Sequence, residues 1–144
     1  MISVQPLSAE INAKLMSLGK QHQEAKKSSD FFGAEKYLLA MWQEFPTPKY
    51  SWDWSENYLK SLANFYLEWR NFLEAERWAQ EVFKCDPLPN DPGPYILLGK
   101  IYMEWGKEDL ARENLVKAYE MGGRRGFVGE DPKYLKFAQT QMKK

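Results

Sequence analysis

The chain has 144 residues, enough for one domain with a substantial core and too few for two well-packed ones. Hydrophobic residues at 44% and aromatics at 15% place it among globular chains and exclude a disordered one. Lysine plus arginine equal aspartate plus glutamate at 20 each, which excludes the basic excess of a nucleic-acid binder, and a lone Cys85 excludes an internal disulfide and fits a reducing compartment.

Helical periodicity runs through the sequence and strand alternation is absent. The first 30 residues hold no long apolar run behind a basic start, so an amphipathic helix is expected there and not a signal peptide. Ser8 caps this first helix, and Ile11, Leu15 and Leu18 form its apolar stripe. His22, the only histidine, falls mid-helix and is expected to be solvated or partly buried. The Ser28–Ser29–Asp30 cluster ends this helix and caps a second, with Ala34, Tyr37, Leu38, Met41, Trp42 and Phe45 on one face. Pro46 and Pro48 stop it, since proline lacks a backbone donor and disfavours helix at the residue before it.

A third helix is predicted from about Trp54 to Trp69 and a fourth from about Phe72 to Cys85. The proline-rich stretch from Pro87 to Pro94 reads as a loop. A fifth helix carries Tyr95, Leu98, Tyr102 and Trp105 and ends at Gly106; a sixth follows from about Glu108 to Met121. Gly122 to Gly126 reads as a flexible connection, and Asp131 with Pro132 as the N-cap and first turn of a last helix. No window approaches the ~18 apolar residues of a membrane span. A cytoplasmic protein with no membrane partner is expected.

Two stretches repeat each other 36 positions apart: Leu62, Ala63, Tyr66, Trp69 and Ala75 recur as Leu98, Gly99, Tyr102, Trp105 and Ala111. A fixed offset of this size marks a stack of two-helix units, none of which buries its apolar face alone. The fold class expected is all-α: an α-solenoid of about three helical hairpins (residues 8–46, 54–87 and 93–121) plus a capping helix (131–143), seven helices in one domain over residues 1–144.

These residues resemble the tetratricopeptide repeat. In the third unit Tyr95, Leu98, Gly99, Tyr102, Gly106, Ala111, Leu115 and Ala118 match its pattern; the second offers Leu59, Leu62, Ala63, Tyr66, Ala75, Val82 and Pro87, with Trp78 beside an unusually small Ala79. The first unit matches only through Ala34, Leu38, Met41 and Pro46, and Ala34 lies 41 positions before Ala75 because the Thr47–Ser55 linker is long. The resemblance implies a concave groove lined by the first helix of each hairpin. Carried across, it would expose Asn57, Lys60, Asn64 and Glu68, then Ile96, Lys100, Met103 and Glu104, with Lys20, Gln23 and Lys27 as weaker counterparts. It also implies binding of another protein and no catalysis.

Lys60 and Asn64 reproduce one pair of the family's carboxylate clamp, but Leu97 stands where the clamp needs an asparagine, so solvated groove residues are the expected reading. Trp42, Trp69, Trp78 and Trp105 are expected in the core. Tyr50, Trp52 and Trp54 lie in a linker that no repeat requires; they either contact a partner or cover the joint between the first two units. One histidine and one cysteine offer no convincing zinc site or nucleophile pair, Gly122–Gly126 follows a helix and so lacks the context of a phosphate loop, and no cofactor is expected. Arg124 and Arg125 read as solvated loop residues.

The tail Gly129–Glu130–Asp131–Pro132–Lys133–Tyr134 is similar to that of small bacterial tetratricopeptide proteins encoded beside polymorphic toxins. That resemblance implies an immunity protein that occludes a cognate toxin domain. The alternative is an adaptor or chaperone-like scaffold that binds peptide segments in the groove. A monomer is expected, with a dimer through the aromatic first unit left open.

Overall fold

The computed structural model describes residues 6–143; residues 1–5 and Lys144, which the single-domain expectation includes, lie outside them. The described residues form an all-α fold of seven α-helices: α1 (Ala9–Lys27), α2 (Phe31–Gln43), α3 (Ser55–Glu68), α4 (Phe72–Glu81), α5 (Gly93–Glu104), α6 (Glu108–Gly122) and α7 (Pro132–Met142). Consecutive helices pair as α1 with α2, α3 with α4 and α5 with α6, while α4 packs on α5 and α7 on α6. None of these helices is long and apolar enough to cross a membrane.

Local chemistry sets the helix starts. The Ser8 hydroxyl accepts from the Ile11 amide at 3.2 Å, the Asp30 carboxylate from Gly33 at 2.9 Å and Asn71 from Glu74 at 3.4 Å. At α7, Asp131 accepts from Lys133 at 3.0 Å and proline opens the helix.

The same turn joins the two helices of all three hairpins. Ser29, Arg70 and Gly106 occupy the left-handed region at φ +59°, +61° and +81°. The next amide reaches back five residues, from Asp30 to the Ala25 carbonyl, Asn71 to Tyr66 and Lys107 to Tyr102, each at 2.9 Å. This is the Schellman arrangement, which satisfies carbonyls that a helix end leaves open.

Small residues mark the helix crossings: Ala34, Ala63, Ala75, Ala111, Ala118 and Ala138 are wholly buried. At Gly99 an added Cβ would sit 2.4 Å from Leu115 Cδ2, so α5 and α6 touch there without room for a methyl group. Trp42 and Trp78 are buried, whereas Trp69 and Trp105 are half-buried at helix ends, where they stack on Phe31 and Phe72.

Four expectations need correction. The fourth helix ends at Glu81, and Val82–Cys85 tightens into a 3-10 turn that reaches left-handed Asp86. α5 begins at Gly93, so Pro94 lies in the helix, where its missing N–H costs nothing. Gly123–Phe127 forms a 3-10 turn held by the buried Phe127 ring. His22 is buried, because its Nδ1 donates to the Ala34 carbonyl at 2.7 Å and its ring meets Phe65 edge-on.

Candidate functional site

An open cleft of about 440 Å³ lies between α1 and α3. Leu38 and Met41 of α2 are among its lining residues, and Gly19, His22, Gln23 and Lys26 of α1 form one wall. Opposite them stand Asn57, Ser61, Asn64 and Glu68, which follow one another at helical spacing and so share a face of α3. An apolar bay of about 470 Å³ continues the cleft, adding Asn12, Leu15 and Met16 and sharing Gly19, Met41, Trp54 and Tyr58. Here two large apolar side chains stay uncovered: Met16 is 77% exposed and Trp54 51%.

The cleft carries little net charge. Lys26 Nζ and Glu68 Oε2, on opposite walls, lie 3.5 Å apart. Burial holds the His22 imidazole below its usual pKa, leaving it neutral near pH 7. The exposed polar groups are therefore mainly amides and a hydroxyl, with apolar surface at one end. Cys85 lies outside this cleft, and burial pushes its thiol up to about 12, which keeps it protonated at neutral pH.

Asn57, Asn64 and Glu68 line this cleft, and Gln23 lines the facing wall. Lys60 does not line the cleft; its ammonium pairs with Glu56 Oε2 at 3.1 Å, while Asn64 Nδ2 donates to the Lys60 main-chain carbonyl. The two side chains do not converge on a common ligand position. Lys20 and Lys27 are exposed outside the cleft. Lys26 and Gly19, which the sequence reading passed over, take their place.

The third hairpin departs further from expectation. Ile96 is buried in the core that holds Phe127 and Tyr134. Lys100 Nζ lies 2.8 Å from Glu130 Oε1 and donates to Asn64 Oδ1 at 3.3 Å. Glu104 Oε2 meets Lys133 Nζ at 2.9 Å and the Tyr134 hydroxyl at 3.3 Å, while Arg70 approaches its other oxygen at 3.7 Å. The Lys133 hydrogen bond holds the Glu104 carboxyl below the usual carboxylate range. Met103 lines a smaller cavity of about 250 Å³ with Phe137 of α7. The segment Gly129–Tyr134 thus acts as a clasp over this part of α5, and its hexapeptide has an intramolecular role.

The aromatic linker divides in two. The Tyr50 hydroxyl donates to Glu81 Oε2 at 2.6 Å, and Trp52 Nε1 donates to the Pro46 carbonyl at 2.7 Å. Buried Ser55 ties the linker to α3 by donating to the Lys49 carbonyl at 2.5 Å. Tyr50 and Trp52 therefore brace the long joint between the first two hairpins, and only Trp54 faces the cleft. No family model matches this sequence, and comparison with curated proteins gives no match.

Proposed function

We propose that the protein is a tetratricopeptide-like module, a short α-solenoid that binds another protein by taking one of its polypeptide segments into the α1/α3 cleft. The observation that carries this reading is the pairing of uncovered Met16 and Trp54 with a row of amides between two splayed helices. Exposed aromatic and methionine side chains beside solvent-facing polar groups suit an apolar anchor flanked by main-chain hydrogen bonds. From Asn12 to Lys26 the wall of α1 runs about 21 Å at 1.5 Å per residue, the span of roughly six extended residues.

A narrower form is a bacterial immunity protein that occludes a toxin domain, supported by the Gly129–Tyr134 hexapeptide. A six-residue contact falls short of the 1,200–2,000 Å² typical of a stable interface, so that form needs contacts beyond the cleft, roughly doubling the footprint. The adaptor form needs the cleft alone.

The test is capture from the native lysate by tagged wild-type protein and by Trp54→Ala, with a high-salt wash and circular dichroism to confirm folding. One stoichiometric partner kept by the wild type and lost by the variant supports a dedicated, immunity-type interface. Several substoichiometric partners lost by the variant support the adaptor. Equal capture by both proteins overturns the cleft as the binding site.

A further inference from the structure

Lys100 and Asn64 stand 36 positions apart, at matching places on α5 and α3, so the repeat itself brings the ammonium and the amide together. Glu130 completes the group from a segment with no helical structure, between the Gly123–Phe127 turn and α7. Phe127 and Tyr134 are buried and anchor this segment at both ends. Between them Val128 is 81% exposed, Gly129 turns at φ +88°, and the Glu130 amide donates to the Phe127 carbonyl at 3.1 Å, while the next ties, Asp131 to the Lys133 amide and Lys133 to Glu104, lie at the start of α7. The Lys100 and Glu130 side chains are 15% and 30% exposed.

We propose that Glu130 is a built-in competitor that fills a carboxylate site formed by Lys100 and Asn64, and that an acidic side chain of a bound segment displaces it. An ammonium so sheltered keeps a carboxylate partner, because losing it would leave the charge poorly solvated. Displacement needs only rotation of the Glu130 side chain and a small shift of residues 128–131; α7 stays in place. The clasp therefore lowers apparent affinity for acidic segments by the fraction of time that Glu130 holds Lys100.

The test is fluorescence anisotropy with labelled hexaglutamate at low salt, on the full chain. Glu130→Ala is expected to bind about tenfold tighter than wild type, as for a site closed roughly nine-tenths of the time. Adding Lys100→Gln to Glu130→Ala is expected to abolish the gain, whereas adding Lys20→Gln, which removes the same charge at an exposed site outside the cleft, leaves it intact. Hexaglutamate has no apolar anchor for Trp54, so failure here is distinct from failure of the cleft reading. Equal affinity of wild type and Glu130→Ala, or a gain that survives Lys100→Gln, overturns the proposal. Should circular dichroism show Glu130→Ala unfolded, Glu130→Gln replaces it with a gain of about threefold expected, and no gain overturns the proposal equally.

Discussion

The Tyr66 hydroxyl donates a 2.6 Å hydrogen bond to Glu35 Oε2, tying α3 to α2 across the joint between the first two hairpins. Tyr102 and Glu76 repeat the bond at 2.5 Å across the next joint. The tyrosines are 36 positions apart and the glutamates 41, matching the spacings of the flanking units. The Trp69 ring on Phe31 and the Trp105 ring on Phe72 follow the same two spacings, at interplanar angles of 17° and 21°. The second helix of the first hairpin thus makes the contacts of a full repeat, and the longer linker changes only the count between units.

Tyr66→Phe is expected to cost about 1–2 kcal/mol, because a hydrogen bond to a charged acceptor is lost while the half-exposed Glu35 regains water. For a chain of this length that is a drop of roughly 3–6 °C in Tm. Glu35→Gln, which keeps an acceptor but removes the charge, should fall between wild type and Tyr66→Phe. Burial, reinforced by these carboxylates, raises the Tyr66 phenol above the usual range and pushes Tyr102 up to about 12. An unchanged Tm in Tyr66→Phe would rule the bond out as a stabilising contact.

Ser29→Gly is expected to stabilise the protein by about 0.5–1 kcal/mol. Ser29 holds φ +59°, where a side chain crowds its own backbone, whereas the third hairpin uses Gly106 at the matching position. The gain outweighs the extra freedom glycine gives the unfolded chain, because Ser29 is exposed. Urea unfolding of both proteins would reveal it as a higher midpoint with an unchanged slope.

Gly99→Ala should act in the opposite direction, although alanine is the better helix former. Its Cβ would meet Leu115 Cδ2 and Cγ at 2.4 Å, with the Leu115 amide nitrogen at 3.3 Å, so the α5/α6 crossing must widen. Overpacking of this kind costs about 1–3 kcal/mol, against a propensity gain of about 1 kcal/mol. A net loss of roughly 1 kcal/mol in the same urea assay is expected, and a net gain would mean that Leu115 repacks freely.

Helix starts and crossings were legible because their causes are local: a capping side chain, a proline at the first turn, a small residue every turn or two. Asn57, Asn64 and Glu68 were legible for the same reason, since one face of α3 is set by spacing. The facing wall was harder. Asn12, Met16, Gly19, Gln23 and Lys26 follow helical spacing too, but the first helix carries none of the residues that match the repeat pattern, so nothing in the sequence marked its groove face. The clasp left no trace, because Lys100–Glu130 and Glu104–Lys133 join residues about 30 positions apart. Trp52 and Trp54, two residues apart in sequence, differ for the same reason: the Pro46 carbonyl captures one indole, while the other stays 51% exposed.

His22 makes stability depend on pH in a predictable direction. Its ring is buried, donates to the Ala34 carbonyl and faces Phe65, with Lys26 and Glu68 as the nearest charges. Burial is the largest influence and lowers its pKa below 6.5; the Ala34 hydrogen bond and Glu68 oppose that shift and Lys26 adds to it. Above pH 6.5 the imidazole is neutral in both folded and unfolded chains, so its contribution is fully present there. As pH falls below 6.5 the unfolded chain takes up the proton first, and stability declines until pH passes the lower folded value. The slope cannot exceed about 1.4 kcal/mol per pH unit for one proton. Urea unfolding between about pH 7 and pH 5.5, above the main carboxylate range, should show wild type losing stability while His22→Gln changes little over the same window. Parallel curves for the two proteins would mean that His22 is protonated in the fold without cost, the burial being offset by the Ala34 carbonyl and Glu68.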